Sequence, residues 1–148
     1  MTVRVGVVGG GLVAQAEHLP YLAALRDHFD LAALAEPSRT VREALGARYG
    51  IGGLHADHSS LLAAGGLDAI VVCSPAGTHA QVVVDALDAG LNVFVEKPMC
   101  ITLEDADAII AARDRAGKVV QVGTMKRYDP AVEAMIDNLR GTRRRCAT

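Results

Sequence analysis

A glycine-rich segment near the start of the chain has residue types and spacing that suit binding of a phosphate group. Gly9, Gly11 and Ala14 follow the pattern G-x-G-x-x-A, with Leu12 and Val13 before the alanine. The first glycine permits a tight turn, the second removes the Cβ that would block a pyrophosphate, and the alanine lets a helix pack closely on a strand. Because the segment lies between a predicted strand and a predicted helix, it indicates a dinucleotide-binding turn rather than a merely flexible glycine run.

An acidic residue stands where the ribose of a dinucleotide would be held. Glu36 ends the second predicted strand, where a carboxylate accepts hydrogen bonds from adenosine ribose hydroxyls and repels a 2′-phosphate. Ser38 and Arg39 follow it and would bind such a phosphate if Glu36 turned away. The sequence therefore favours NAD as the cofactor and keeps NADP as an alternative. A solvated Glu36 without a ligand is the third interpretation.

Lys97 belongs to a charged segment at another predicted strand end. It lies in Glu96-Lys97-Pro98, directly after a short predicted strand, at the edge where open parallel sheets bind ligands. Ser74 and Pro75 follow the preceding strand in the same way. Without this segment, methyltransferases that bind S-adenosylmethionine are an alternative, since they also combine a glycine-rich turn with an acidic strand end. An exposed Glu-Lys pair of no special role is the other alternative.

The elements that must position these residues alternate along the chain. Apolar, β-branched runs predict strands, and alanine-rich amphipathic stretches between them predict helices. The predicted strands cover residues 3–8, 31–35, 52–55, 69–73, 93–95 and 119–122. The predicted helices cover residues 12–26, 39–49, a stretch capped by Asp57 or Ser59 and ending at 64, 78–89, a stretch capped by Thr102, and 131–139. Strand 52–55 has the weakest propensity because it contains Gly52 and Gly53.

This alternation predicts an α/β fold of the doubly wound (Rossmann) type. Parallel strands joined by right-handed crossovers give a sheet of about six strands with helices on both faces, and the expected strand order is 3-2-1-4-5-6. A chain of 148 residues has room for one domain with a real core. Since 51% of the residues are hydrophobic and only 3% aromatic, that core must consist of alanine, valine, leucine and isoleucine.

Taken together, the motifs resemble the glucose-fructose oxidoreductase and inositol dehydrogenase family (Gfo/Idh/MocA) over residues 3 to about 141. The resemblance implies enzymes that use NAD(P) to oxidise or reduce hydroxyl and keto groups, mostly on sugars, cyclitols and related small molecules. It rests on the glycine-rich turn, Cys73-Ser74-Pro75, Thr78-His79, Glu96-Lys97-Pro98 and the segment 125–130.

The resemblance also implies a catalytic role for Lys97. In the family this lysine lies beside the nicotinamide and the substrate, where it would hold the reacting oxygen and stabilise negative charge during hydride transfer. Glu96 is expected to orient or tune the lysine. Pro98 would fix the turn, and in such families the peptide bond before this proline is often cis.

Other loop residues acquire expected roles from the same resemblance. Ser74 and Pro75 match the family's loop along the cofactor, and His79 matches its histidine at the start of the following helix. Simple capping is the alternative for His79. For Arg127, a contact with cofactor or substrate and an ordinary surface charge are both left open.

Composition argues against several other classes of protein. The formal net charge of −2 gives no general attraction to nucleic acid or membranes. The arginines near the end, which are Arg140, Arg143, Arg144 and Arg145, lack interleaved aromatic residues and are expected to form a solvated end. Three cysteines without a C-x-x-C pattern favour a reducing, cytoplasmic location over a disulfide framework or zinc site. No secretory leader or membrane span is expected.

Metal and hydrolase chemistry have no support in the sequence. His55, Asp57 and His58 share a short turn but have no third convergent ligand, so we expect no metal site. Cys100 follows Pro98 closely and is expected to be a small buried hydrophobe. No G-x-S-x-G segment occurs, and no spacing suggests a catalytic triad.

The domain expectation follows from the family resemblance. Residues 1–141 are expected to form an NAD(P)-binding domain, with residues 142–148 as a basic tail and without the second domain that supplies substrate contacts in the family. We therefore expect the chain to bind dinucleotide but to turn over a polyol or sugar substrate poorly alone. A homo-oligomer is expected if apolar surface is exposed. A non-catalytic nucleotide-binding or sensor module is the alternative function.

Overall fold

Six parallel strands form one sheet in the order β3-β2-β1-β4-β5-β6, which confirms the predicted order. The computed structural model describes residues 2–145, with side chains described through residue 140. The strands are β1 Val3–Val8, β2 Phe29–Ala35, β3 Gly53–His55, β4 Ala69–Val72, β5 Asn92–Glu96 and β6 Val120–Gly123. The α-helices are α1 Leu19–Ala24, α2 Arg39–Tyr49, α3 His58–Ala64, α4 His79–Asp88, α5 Leu103–Ala116 and α6 Pro130–Arg145.

The core has two layers because both faces of the central strands are apolar. One face of the sheet packs against α1 and α2 through side chains that include Leu19, Leu34 and Leu45. The opposite face packs against α3, α4 and α5 through side chains that include Leu61 and Ile109. Burying each such leucine or isoleucine contributes about 2 kcal/mol, and this places the helices on both faces as predicted.

The weakest predicted element, the third strand, is present but short. Gly53–His55 pairs in parallel with β2, and Gly53 lies opposite Ala33. A Cβ on Gly53 would lie 3.0 Å from the carbonyl oxygen of Ala32, so the glycine permits this close approach. Tertiary pairing thus compensates for the low strand propensity of the segment.

The first predicted helix, residues 12–26, differs from the expectation. A π-helical turn spans Ala14–His18, α1 follows over Leu19–Ala24, and the segment ends two residues early. Proline at position 20 cannot donate to the preceding turn, and its ring would crowd the carbonyl four residues earlier in a regular helix. A wider turn just before Pro20 relieves both conflicts.

Helix starts agree well with the predicted caps. The Asp57 carboxylate accepts a hydrogen bond from the Ser60 N–H at 2.7 Å and begins α3, which decides between Asp57 and Ser59. Thr102 accepts from the Asp105 N–H at 3.1 Å and begins α5. Each side chain satisfies one of the N–H groups that a helix start leaves unpaired.

The last helix, α6, is longer than predicted and continues through the expected domain boundary at residues 141 and 142. It packs mainly against a 3₁₀ turn over Met125–Tyr128, which directly precedes it. Residues 146–148 of the expected basic tail lie outside the described residues. Among the described helices, none combines the length and apolarity that a membrane span requires.

Candidate functional site

The predicted site residues converge at one edge of the sheet. The glycine-rich turn follows β1, Glu36 follows β2, Ser74 follows β4, and Lys97 follows β5. In a parallel sheet these positions all lie at the carboxyl ends of the strands. Strands β1 and β4 are neighbours although the chain leaves β1 towards β2, so the crevice where dinucleotides bind in this topology opens between them.

The glycines of the turn meet different surroundings. Gly9 has φ +98°, and a Cβ there would lie 2.7 Å from the Ser74 nitrogen and 2.8 Å from the Cys73 carbonyl oxygen. Only glycine fits this close contact between the turn and the loop after β4. A Cβ on Gly11 would meet nothing within 4 Å. The turn is therefore closed towards β4 and open on the side where a pyrophosphate would approach the helix start.

Glu36 is held against the glycine-rich turn by two hydrogen bonds. Its Oε2 accepts from the Gly10 N–H at 2.8 Å, and its Oε1 accepts from the Ser38 N–H at 2.9 Å. The Ser38 hydroxyl in turn accepts from the Val41 N–H at 3.4 Å and begins α2. The sequence predicted the acidic position, but its attachment to Gly10 depends on packing between β1 and β2.

The two arginines beyond Glu36 are engaged with other groups. Arg39 is exposed and forms a 2.7 Å ion pair with Glu43 one turn later in α2. Nη1 of Arg42 donates to the Glu36 carbonyl oxygen and lies 3.3 Å from the Pro37 carbonyl oxygen. Arg42 therefore supports the backbone of the loop that carries Glu36, a role that the sequence did not reveal.

A largely apolar cleft of about 370 Å³ continues from the turn between the ends of β2 and β4. Gly9, Glu36, Ser74 and Pro75 line it, together with Gln81 from α4. An apolar cleft with a few polar groups at its rim suits a flat heterocycle joined to a ribose. The open face at Gly11 and this cleft show that the residues present fit a dinucleotide.

Leu12 and Val13, also predicted at the cofactor, begin the first helical segment. Leu12 is strongly exposed and Val13 is partly exposed.

In the loop after β4, the Thr78 hydroxyl lies 2.8 Å from both the Ser74 hydroxyl and the Pro75 carbonyl oxygen. These contacts fix the loop beside the turn.

Lys97 is exposed at the end of β5, and its peptide bond to Pro98 is cis. The preceding Glu96 contacts Lys97 through the backbone, because its Oε2 accepts from the Lys97 N–H at 3.2 Å. The other oxygen of Glu96 lies 2.9 Å from Nε2 of His18. The Glu96 carboxylate thus contacts the backbone of Lys97 with one oxygen and the ring of His18 with the other.

His18 was not identified from the sequence. It lies in the π-helical turn, and its ring packs edge-on against Phe94 with 5.3 Å between centroids. With Glu96, Gln121 and Tyr128 it lines a second cleft of about 360 Å³ beside β5 and β6. Proline at position 20 was the available signal, since a proline inside a helical pattern indicates a local distortion of the helix.

His79 lies at the start of the helix after β4, as the sequence predicted, and its side chain is buried. It begins α4 and is only 2% exposed, so the ring lies beneath the edge of the sheet rather than on it. Nε2 lies 2.7 Å from the Ser74 carbonyl oxygen, and Nδ1 lies 2.8 Å from the Pro98 carbonyl oxygen. The ring therefore contacts the backbones of two site loops.

Asp57 and His58, which share a short turn, each contact another group of the chain. Asp57 caps α3, and His58 pairs with Asp85 at 2.9 Å, so neither points to a shared ion. Arg127 is exposed in the 3₁₀ turn.

Burial, reinforced by the charge of Glu96, raises the pKa of the Cys73 thiol to about 12. Cys73 is therefore a protonated, unreactive thiol at neutral pH.

Comparison with known proteins agrees with this geometry. The chain is 36% identical over 137 residues to inositol 2-dehydrogenase of Paracoccus denitrificans, an alignment that covers 91% of this chain and 40% of that protein. The chain thus spans well under half the length of this relative.

Solved structures give the same result. The WlbA dehydrogenase of Bordetella pertussis, in complex with NADH and UDP-GlcNAcA, superposes with a TM-score of 0.88 at 26% identity over 95% of this chain and 43% of that one. The 3-ketoreductase KijD10 of Actinomadura kijaniata, in complex with TDP-benzene and NADP, gives 0.86 at 28% identity over 95% and 44%. A family model described as oxidoreductase family, NAD-binding Rossmann fold, matches residues 3–124. This chain therefore belongs to that oxidoreductase family through its NAD-binding Rossmann domain.

Proposed function

We propose that this chain binds NAD across the carboxyl edge of its sheet and forms the cofactor-binding half of a dehydrogenase that acts on a cyclitol or sugar. The observation that carries the proposal is the contrast at the turn, where Gly9 is packed against Ser74 while Gly11 faces open space. This arrangement leaves the start of the first helix accessible to an anion. Residues 1–141 are the proposed extent of the cofactor domain.

The contacts around Glu36 support NAD over NADP. Both carboxylate oxygens are held by backbone N–H groups, so the negative charge is fixed beside the turn. A 2′-phosphate placed there would be repelled, whereas ribose hydroxyls can donate to the carboxylate. Arg39, the residue that would compensate for such a phosphate, is paired with Glu43.

The proposed catalytic contribution of the chain is Lys97. Its ammonium group makes no described ion pair or hydrogen bond within residues 2–140, and the residue follows β5 at the same edge of the sheet as the crevice. There it would bind the reacting oxygen of the substrate and stabilise the negative charge that develops on it. When bound, the nicotinamide supplies or accepts the hydride. Glu96 holds the backbone of the lysine through the Lys97 N–H.

The substrate class comes from the relatives. Inositol 2-dehydrogenases and a dehydrogenase in complex with UDP-GlcNAcA are among the similar proteins, so a polyhydroxylated ring is the proposed substrate. Because the chain spans 40% of the first of these, we propose that further groups outside it complete the substrate site. A net charge of −2 supports neither nucleic acid nor membrane as a partner. We also propose that the protein is cytoplasmic and forms a homo-oligomer.

Calorimetric titration of the 148-residue chain with NADH and NADPH, side by side, tests the binding part. We expect NADH to bind at least about tenfold more tightly, because a fixed carboxylate disfavours the 2′-phosphate. Absence of binding by either dinucleotide would overturn the proposal.

A second assay tests catalysis separately. The chain is mixed with NAD and myo-inositol, and NADH formation is followed by absorbance, with Lys97→Met as the matched variant. We expect turnover near background for both proteins, because one lysine does not supply proton transfer, substrate orientation and exclusion of water together. Lysine-dependent turnover well above background would show that the chain needs no additional groups. NADH binding without activity in any longer form of the protein would instead support a sensor module.

A further inference from the structure

His79 contacts two site loops at once through opposite edges of its ring. Among the residues whose side chains the structure describes, His79 is the one polar residue that is buried. Nε2 lies 2.7 Å from the carbonyl oxygen of Ser74, in the loop after β4. Nδ1 lies 2.8 Å from the carbonyl oxygen of Pro98, in the turn that carries Lys97.

We propose that His79 is a positioning residue that carries a proton on each ring nitrogen and thereby ties the Ser74 loop to the Lys97–Pro98 turn. Both partners are backbone carbonyls, which only accept hydrogen bonds. A neutral imidazole has a single N–H, so one of its nitrogens would direct a lone pair at a carbonyl oxygen less than 3 Å away. The doubly protonated ring donates to both oxygens.

Two effects oppose the positive charge. The ring is 2% exposed, and burial disfavours an ion. It also begins α4, where the helix dipole disfavours a cation. Nearby carboxylates do not neutralise it through contact, since Glu96 of β5 pairs with His18 and Asp85 of α4 pairs with His58. The two charge-assisted hydrogen bonds to carbonyl dipoles are the compensating interaction.

The contacts of His79 also affect the phosphate-binding turn, because Ser74 packs against that turn. A Cβ on Gly9 would lie 2.7 Å from the Ser74 nitrogen, so the turn and the loop after β4 pack directly on each other. The Ser74 backbone thus has the turn on one side and His79 on another. His79 consequently fixes the position of Lys97 relative to the turn. That distance matters to hydride transfer if the chain binds dinucleotide as proposed, since misplacement of about 1 Å lowers rates strongly.

The protonation state is measurable without any cofactor. Long-range ¹H–¹⁵N correlation spectra of the chain with ¹⁵N-labelled histidine resolve the ring nitrogens of its five histidines. The His79 signals are assigned by their loss in His79→Gln. At pH 7.5 we expect both nitrogens of His79 to show protonated-type shifts, each coupled to its own proton. A single unprotonated nitrogen in this ring would overturn the proposal. If His79→Gln does not fold, the His79 ring signals are assigned instead by through-bond correlation from the His79 backbone of the native chain.

The positioning role is tested by His79→Gln against His28→Gln. A glutamine amide donates from one nitrogen and cannot reach both carbonyls, whereas His28 is exposed before β2 at the opposite edge of the sheet. We expect His79→Gln to shift the amide signals of Ser74 and Lys97 and to weaken NADH binding about tenfold, with His28→Gln within about twofold of the native chain. Unchanged amide signals at both positions would overturn the tie. Absence of NADH binding by the native chain would overturn the proposed function. The amide signals of Ser74 and Lys97 would then decide by themselves whether His79 holds the two loops together.

Discussion

Oε1 of Glu96 lies 2.9 Å from Nε2 of His18, which joins the end of β5 to the π-helical turn 78 residues earlier in the chain. Each side chain is only 18% exposed, so the contact is largely shielded from water. The residue before Lys97 is thereby fixed by a group that belongs to the first helical segment.

A double-mutant cycle measures this contact. We expect His18→Gln and Glu96→Gln, combined, to show a coupling free energy of unfolding of about 1 kcal/mol, as for a partly buried hydrogen bond. Urea unfolding of the four proteins gives the value. Additive effects of the two changes would contradict a direct interaction.

Alanine substitutions at Gly9 and Gly11 should have opposite consequences. Gly9→Ala forces a Cβ into the Ser74 backbone at positive φ, so we expect a loss of at least about 2 kcal/mol in the free energy of unfolding. Gly11→Ala places its Cβ in open space and should leave unfolding unchanged while lowering NADH affinity at least about tenfold. Thermal unfolding and NADH titration distinguish the two effects. Native affinity in a folded Gly11→Ala protein would contradict the proposed position of the pyrophosphate.

Removal of the charge at Glu36 should change cofactor preference. In Glu36→Gln, one carboxylate oxygen becomes an amide that cannot accept from Gly10 or Ser38, and repulsion of a 2′-phosphate is lost. We expect the ratio of NADPH to NADH affinity to rise about tenfold. Glu133→Gln, in the exposed part of α6, is the control and should keep the native ratio. An unchanged ratio in Glu36→Gln would remove Glu36 from cofactor selection.

Cys73 should resist alkylation and should make stability depend on alkaline pH. With a pKa of about 12 in the folded chain against 9.0 normally, the thiol keeps its proton between those values while the unfolded chain loses it. Ionisation therefore favours the unfolded state, and stability falls as pH rises from about 9 to about 12. Cys73→Ala should flatten this part of the profile in urea unfolding. At pH 8, iodoacetamide should label Cys73 far more slowly in the folded chain than in urea, and equal rates would contradict the burial.

Removal of α6 should leave the site intact. The helix packs mainly on the 3₁₀ turn before it, and its Met135 and Leu139 are largely exposed. We expect a chain that ends at Asp129 to unfold within about 4 °C of the native chain and to bind NADH equally well. Light scattering of both chains shows whether the exposed apolar side chains of α6 cause self-association. A large loss of thermal stability would mean that α6 stabilises the sheet.

The sequence predicted those parts of the fold that depend on local patterns. Strand Val3–Val8 contains four valines in six residues, and Thr102 is a cap defined by its neighbours, so both followed from residue type and spacing. The pairing of His18 with Glu96 and the double contact of His79 could not be predicted, because they depend on how distant elements pack. The π-helical turn also escaped prediction, since Pro20 indicates a distortion but not its form.

The neighbouring position of β1 and β4 in the sheet has a consequence for the order in which the molecule acquires its binding surface. Val8 lies opposite Val72, so the turn after β1 gains its facing wall only when a strand 64 residues later has been added. An incompletely synthesised or partly unfolded chain has the glycine-rich turn without that wall. A ligand that needs both sides recognises only the completed sheet and shifts the folding equilibrium towards it. Bound dinucleotide would then lower the fraction of this chain that is open to proteolysis.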